Sequence, residues 1–288
     1  MNTKILIIYH NDHDGELSAY IVKRKWEHKA YITFLRCSYD ESKIDWSKYS
    51  NIHKVYIVDY SFKQEEMEKI VILYGMENVT WIDHHKTAIE ELNHFSDLPG
   101  IRDYSGDYAA CMLTYKFFHK YVPPYYVKLV SDRDVWKFKY GNDGKYLYEW
   151  LITQDTIPEN KNCVWGGIDN IDSALNIGKE LYDTKMQRIR SNIKVLGYPS
   201  YINIEGKSLP CMKINYSDNE FTSDIGNTIV NENDYPVAWI YWYKQNDDGK
   251  LIRINSLRSR KDIDISGYAV SHGGGGHSNA AAWVEILE

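Results

Sequence analysis

Three short apolar runs near the start of the chain each end on residues that can bind a metal ion. The runs are KILIIYH, KVYIVD and VTWIDHH, and the segments between them, such as ELSAYIVKRKWEH and FKQEEMEKIVILYG, carry apolar residues at helical spacing. Apolar strands that alternate with amphipathic helices predict an α/β fold with a doubly wound, mainly parallel sheet. Ligands of such sheets bind at the carboxyl ends of the strands. We therefore expect the polar residues that follow the three runs to meet at one edge.

The pattern changes in the last third of the chain. A long charged helix is expected around 173–196, GYPS breaks it, and the strand-like YPVAWIYWYK and KLIRINSLRS then flank a turn at NDDG. We expect an N-terminal catalytic domain at 1–185, a helical linker at 186–199 and a smaller α+β domain at 200–288, with the active-site cleft between the domains. Another helix is expected over 105–122, opening at Ser105, Gly106 and Asp107.

Charge and composition limit the classes of partner. The formal net charge of -6 argues against a protein that coats long duplexes, although a short nucleotide remains compatible when carboxylates bind cations. The four cysteines form no CxxC pair, which argues against a zinc knuckle or a disulfide framework. The apolar run Ile5–Ile8 is too short for a signal peptide or a membrane span, so we expect a cytoplasmic protein without membrane contact.

The first polar cluster is HNDHDG, in which His10, Asp12 and Asp14 occupy alternate positions. Alternate side chains of an extended segment lie on one face, so all three can converge on cations. A mixture of imidazole and carboxylate ligands suits Mn²⁺. Taken alone, the same letters also fit a solvated polar turn.

The next clusters follow the second and third runs. Asp59 is placed to bridge two metal ions, although a lone Asp at a strand end also fits a helix cap. Asp83, His84 and His85 follow VTWI, and neighbouring side chains on a strand point in opposite directions. We therefore expect one histidine to bind metal and the other to face the substrate, while a chance triplet is the alternative.

The fourth cluster lies in VSDRDVWKF, near the expected end of a helix or strand. We favour Asp134 as a metal ligand, with Asp132 contacting Arg133 or a histidine; a surface salt-bridge cluster is the alternative. Four such clusters at successive element ends of one sheet favour a functional site over chance.

These motifs resemble those of a known family. HNDHDG, the Asp59 after VYIV, WIDHHKTA and DRDVWKF resemble the four motifs of the DHH phosphoesterase superfamily. GGGGHSNAAA resembles the GGGHxxAAG signature of the DHH-associated domain, with its alanines expected to start a helix, and SLRSRKDIDIS lies where that domain has an arginine-bearing strand. The early histidine of HNDHDG, the motif WIDHHKTA and the D-x-W form of the fourth motif look most like the oligoribonuclease (nanoRNase) branch. RecJ-type exonucleases have an acidic residue where His10 stands, and family II pyrophosphatases lack the GGGH domain, so the chain resembles both of them less.

The resemblance implies two divalent metal ions, Mn²⁺ in the first place, with Mg²⁺ or Co²⁺ as alternatives. It implies that Asp59 bridges them and that His85 and Asp83 are catalytic, His85 by contacting the scissile phosphate or protonating the leaving oxygen. The remaining ligands would be His10 and Asp12 for one ion and Asp14, His84 and Asp134 for the other. The residues implied in binding a terminal phosphate or nucleotide are Arg258, Gly274, Gly275, Gly276 and His277.

The expected function is hydrolysis of short oligonucleotides (nanoRNA) to mononucleotides by a metal-activated water. The expected partners are short single-stranded RNA or DNA oligonucleotides or small nucleotides, and a homodimer is left open. The alternatives are a phosphatase of 3′-phosphoadenosine 5′-phosphate, a cyclic or linear dinucleotide phosphodiesterase, and a catalytically inactive nucleotide-binding module.

Overall fold

The computed structural model describes residues 3–38, 44–168, 170–217, 221–246 and 248–287. The chain divides into two compact units, Met1–Tyr182 and Asp183–Glu288, and the boundary falls within one long helix, α7. The assignment of these units as catalytic and substrate-binding domains stays a prediction.

The first unit is built on a four-stranded sheet in the order β2-β1-β3-β4, and all its strand pairs are parallel. This confirms the predicted α/β class and the three predicted strands. The fourth strand, β2, was missed because it lies at the sheet edge, where most of its side chains are exposed or half-buried. The strands are β1 (Thr3–His10), β2 (Ala30–Cys37), β3 (Lys54–Val58) and β4 (Val79–Ile82).

Both faces of this sheet are buried. Leu6 and Ile8 of β1 pack into a cluster with Met67 and Ile70, whereas Ile5 and the other alternate residues of β1 pack on the opposite side. Because side chains alternate along a strand, a fully apolar run is the signature of a strand covered on both faces. The helices of the unit are α1 (His13–Trp26), α2 (Gln64–Tyr74), α3 (Lys86–Glu91), α4 (Ala110–Phe118), α5 (Tyr125–Asp134), α6 (Asp143–Leu151) and α7 (Ile171–Leu196), which ends in the second unit.

The prediction that a helix over 105–122 begins at Ser105 was wrong. Helix α4 begins only at Ala110. Before it, the Ser105 amide donates to Asp103 and the Asp107 amide donates to the Ser105 hydroxyl, so short side chains hold a turn there instead of a helix.

The second unit contains a mixed six-stranded sheet in the order β5-β6-β7-β8-β10-β9. The predicted hairpin around NDDG is confirmed, because β7 and β8 pair antiparallel. Residues 197–199, predicted as linker, are paired in β5. The elements are β5 (Gly197–Ile204), β6 (Lys207–Asn215), α8 (Thr222–Glu232), β7 (Val237–Gln245), β8 (Leu251–Ser259), α9 (Ser266–Ser271), β9 (Gly275–His277) and β10 (Ala280–Ile286).

The alanine run after the glycines is a strand, not the expected start of a helix. Ala281 in β10 pairs with Gly276 on one side and with Leu257 on the other. The run continues into Trp283, which is buried in the core of the unit, so pairing and burial outweigh the helical preference of alanine.

A search of the helices in the described ranges finds none with the length and apolar character needed to span a membrane.

Candidate metal centre

The expected site residues of the first unit lie at the carboxyl edge of the parallel sheet. His10 is the last residue of β1, Asp59 directly follows β3, and Asp83 directly follows β4. Parallel strands bring these ends together, as expected from the order of the elements.

The segment after β1 is a tight strand-to-helix turn. Asp12 caps helix α1 by accepting a hydrogen bond from the Gly15 amide at 2.9 Å, and its other oxygen lies 2.8 Å from Nδ1 of His10. A Cβ atom on Gly15 would lie 2.2 Å from the carbonyl oxygen of His10, so this turn requires glycine. Burial raises the pKa of Asp12, but the hydrogen bond and charge of His10 together with the Gly15 amide outweigh burial and hold the pKa below its usual range.

The prediction that His10, Asp12 and Asp14 alternate along one extended segment was therefore wrong. Helix α1 begins at His13, so Asp12 and Asp14 do not alternate on an extended strand. Asp12 lies at the cap and Asp14 in the first turn, and the two carboxylates belong to different candidate metal groups.

Asp14 also holds a second helix. Its two carboxylate oxygens accept the backbone N–H groups of Ala110 and Cys111, at 2.8 and 2.9 Å, which cap the start of α4. The carboxylate is buried, and each oxygen keeps a lone pair for a cation.

We expect Asp14→Ala to lower the free energy of unfolding of the metal-free protein by about 1–3 kcal/mol, because two buried N–H groups lose their acceptors. Urea denaturation in the presence of EDTA measures this. Asp97→Ala, at an exposed aspartate of the same unit, is the matched control and should change the free energy of unfolding little. Equal losses for the two variants would contradict the capping role.

Asp59 is the most unusual residue of the site. It is 1% exposed, neither of its carboxylate oxygens has a hydrogen-bond partner among the residues that the structure describes, and its backbone has a positive φ of 55°. Its oxygens lie 3.3 Å from Nε2 of His84 and 3.8 Å from Nδ1 of His10. Burial and the neighbouring carboxylates, Asp14 first among them, raise its pKa well above the usual range. A strained, buried and unsatisfied carboxylate is a feature of functional sites.

Asp83 lies outside the candidate metal groups of the described residues but positions its neighbours. It is fully buried, accepts hydrogen bonds from the Ser61 hydroxyl and the amides of His84 and His85, and lies 2.8 Å from Nδ1 of His85. Burial raises the pKa of Asp83, yet the His85 contact keeps it below its usual range. In turn, burial lowers the pKa of His85, but Asp83 outweighs this and raises it.

The two histidines do not point in opposite directions as expected. Strand β4 ends at Ile82, so the alternation of a strand no longer applies at His84 and His85. Their ring centroids are 4.4 Å apart, and both rings approach the same oxygen of Asp59.

Asp134 and Asp132 have different surroundings. Asp134 is the last residue of α5 and lies 3.4 Å from Nε2 of His84. Burial and the nearby Asp14 raise its pKa well above the usual range. Asp132 does not make the expected contact with Arg133 or a histidine; it accepts backbone N–H bonds from Lys139 and Tyr140 and so holds the loop after the helix.

The donor atoms form groups that can hold metal ions. In each of three groups the ligand atoms lie within 4.8 Å of one another: His10, Asp12 and Asp59; Asp14, His84 and Asp134; and Asp59, His84 and His85. Imidazole and carboxylate are suitable ligands for Mn²⁺ and related divalent ions. The buried, unsatisfied oxygens of Asp59 fit a cation directly, because a bound ion would compensate their desolvation. The residues present therefore fit divalent metal ions.

The expected phosphate-binding residues lie in the second unit. Arg258 commits three of its five N–H donors to Ser256, Leu257 and Ser223, which leaves two for a ligand, while His277 is exposed. The amide of Gly274 donates to Ala269, so it is not presented to an anion as expected. A Cβ on Gly274 would lie 2.1 Å from the Ala282 carbonyl oxygen, so close packing explains this glycine.

A solved structure supplies the comparison that decides the fold. The pGpG-specific phosphodiesterase PggH of Vibrio cholerae aligns with 99% of this chain and 94% of its own, at a TM-score of 0.53 and 11% sequence identity. The chain shares the fold of this protein. This confirms the fold that the motif resemblance implies.

Other comparisons are weaker. RecJ of Thermus thermophilus in complex with Mn²⁺ aligns with the whole chain and 50% of its own at a TM-score of 0.48 and 13% identity. The uncharacterized protein R106 of Acanthamoeba polyphaga mimivirus is 25% identical over 242 residues, which are 79% of this chain and 52% of that protein. The chain thus spans about half the length of this curated relative. No family model matches the chain.

Proposed function

We propose that the chain is a metal-dependent phosphodiesterase that hydrolyses short oligonucleotides to mononucleotides, with Mn²⁺ as the preferred metal. The observation that carries this proposal is Asp59, a buried carboxylate that lies among the histidines and aspartates of the candidate metal groups and whose two oxygens have no hydrogen-bond partner in the described ranges. Such an arrangement is costly for folding alone, and its cost is offset when cations bind.

The proposed ligands are those of the two separate groups. His10, Asp12 and Asp59 would hold one ion, and Asp14, His84 and Asp134 the other, with Asp59 also reaching the second. The chemistry that such a pair of ions supplies is the activation of water and the neutralisation of charge on phosphoryl oxygens.

His85 is proposed as the proton-transferring residue. Its Nδ1 is held by the buried Asp83, which orients the ring and favours its protonated form. A protonated imidazole at this position can donate a proton to the leaving oxygen or a hydrogen bond to the phosphate. Asp83 acts through His85 and is therefore a positioning residue.

Arg258 is proposed to bind a terminal phosphate, with His277 as a second contact. The guanidinium is fixed by Ser223 and Ser256 and keeps two donors, which suits bidentate binding of phosphate oxygens.

We expect Arg258→Ala to raise KM for 5′-phosphorylated dinucleotides at least about tenfold with little change in kcat, because a charge-assisted contact is worth roughly 1.5–3 kcal/mol. Steady-state kinetics measure this. Arg260→Ala, an exposed arginine two residues away, is the control and should behave as the original chain. Unchanged kinetics in Arg258→Ala would contradict the assignment.

A second candidate is a phosphodiesterase dedicated to a linear dinucleotide such as pGpG. It is favoured by the likeness in fold to a pGpG-specific phosphodiesterase over nearly the full length of both chains. The two candidates use the same metal centre and differ in the length of substrate accepted.

Product analysis tests both candidates. The protein is incubated with Mn²⁺ and end-labelled RNA of two, five and twenty-four nucleotides, pGpG, cyclic dinucleotides and 3′-phosphoadenosine 5′-phosphate. Mononucleotides from both the dinucleotide and the pentanucleotide support the proposal, while turnover of dinucleotides alone supports the second candidate. Preferential turnover of the mononucleotide bisphosphate would assign a small-nucleotide phosphatase, and no turnover of any substrate would assign an inactive binding module.

A further inference from the structure

A cavity of about 190 Å³ lies in the first unit beside the candidate metal centre. Asp12, Asp14 and Asp134 line one part of it, and His13 of α1 and residues of α5 and α6 supply the rest. Pockets that enclose whole drug-sized ligands usually measure ~300–1,000 Å³. This cavity is smaller, so it has room for one ring system rather than for a dinucleotide.

The wall away from the carboxylates is mainly apolar and aromatic. Val130, Leu147 and Leu151 are buried side chains that form its apolar part. Tyr148 adds an aromatic ring, and the imidazole of His13 lies edge-on to that ring at 5.1 Å. Such a surface favours a flat, weakly polar group over a phosphate.

Two polar groups in this wall lack hydrogen bonds to the described part of the chain. Nδ1 of His13 is buried, and no described residue is its hydrogen-bond partner. The Arg133 guanidinium lies 4.5 Å from the ring centroids of both Trp136 and Tyr148, and within the described ranges it makes neither a hydrogen bond nor an ion pair. Both aromatic rings lie close enough for cation–π contact, and the N–H groups of the guanidinium can still donate to a ligand.

We infer that this cavity binds the nucleobase next to the scissile phosphate. A nucleobase combines a flat apolar face with an edge of donors and acceptors, which matches the apolar wall and the free groups of Arg133 and His13. Guanine is a suitable probe, because arginine binds its paired O6 and N7 acceptors bidentately. The assignment of the ligand rests on the proposed function.

Equilibrium binding tests the inference without catalysis. Isothermal titration calorimetry in Mn²⁺ compares guanosine 5′-monophosphate with ribose 5-phosphate, which carries the same phosphate but no base. We expect the nucleotide to bind at least about fivefold more tightly, the lower end of what a stacked base contributes. In Tyr148→Ala this ratio should fall to about one, whereas Tyr148→Phe, which keeps the ring, should retain most of it.

Tyr146→Ala is the matched control, because Tyr146 lies on the same helix but does not line the cavity. It should leave the ratio unchanged. A ratio that is the same in Tyr148→Ala as in the original chain would overturn the inference, as would a ratio of one in the original chain. Ribose 5-phosphate binding shows whether each variant is folded. The ratio of the two affinities can be measured even if the protein hydrolyses no substrate. Failure of the proposed function is therefore distinguishable from failure of the base-binding inference.

Discussion

Replacing Asp59 by Asn is expected to lower kcat at least about a thousandfold while making the metal-free protein more stable. The loss of activity follows because Asp59 is the carboxylate shared by the proposed ligand sets, and a comparable electrostatic group is worth ~10²–10³-fold even without metal. The gain in stability follows because the substitution removes a buried carboxylate that has no hydrogen bond and lies among Asp12, Asp14 and Asp134. We expect a gain of about 1–2 kcal/mol.

Two measurements check this prediction. Steady-state turnover of a dinucleotide with Mn²⁺ gives the loss of activity, and urea denaturation in EDTA gives the change in the free energy of unfolding. Asp97→Asn, an exposed aspartate of the same unit, is the control and should change neither quantity. A variant that is both active and no more stable would show that Asp59 is an ordinary structural residue.

His85→Ala is expected to lower kcat by ~10²–10⁴-fold, the range for loss of a proton-transferring group. The bound metal should persist, since the six ligands proposed for the two ions do not include His85. The metal content of the purified variant, measured by mass spectrometry, separates this role from ligation. Asp83→Asn should lose a smaller part of the activity, because the ring of His85 remains but is less well oriented.

His94→Ala, an exposed histidine in the same region of the chain, serves as the control and should keep full activity. Loss of one metal ion in His85→Ala would contradict the proposed role and would place His85 among the ligands, in the third group with Asp59 and His84.

The sequence predicts which side chains meet at the sheet edge, because the strand ends of a parallel sheet are fixed by the fold. Once β1, β3 and β4 are recognised from their apolar runs, His10, Asp59 and Asp83 must lie at one edge. The side-chain directions at that edge could not be predicted in the same way. Asp12 and Asp14 lie at a helix start, and His84 and His85 lie beyond a strand, where strand alternation does not apply.

Other features depend on partners that are distant in sequence. The start of α4 is set by Asp14, which is 96 residues before Ala110, and no local pattern near Ala110 announces it. The strand formed by Ala280–Ile286 depends on pairing with β8, although alanine alone favours helix. The same holds for the cavity, because Tyr148 comes from a segment without a recognisable motif, and His13 and Arg133 lie within HNDHDG and DRDVWKF but were not predicted to contact a substrate.

We propose that the carboxylates and histidines at the sheet edge bind metal ions that catalyse phosphodiester hydrolysis. The most direct test is hydrolysis of a 5′-phosphorylated dinucleotide by the original chain and by Asp59→Asn, each with EDTA and with Mn²⁺ added back. We predict mononucleotides only from the original chain with Mn²⁺, and none from the variant under either condition. Hydrolysis that survives EDTA, or that is equal in the two proteins, would contradict the claim.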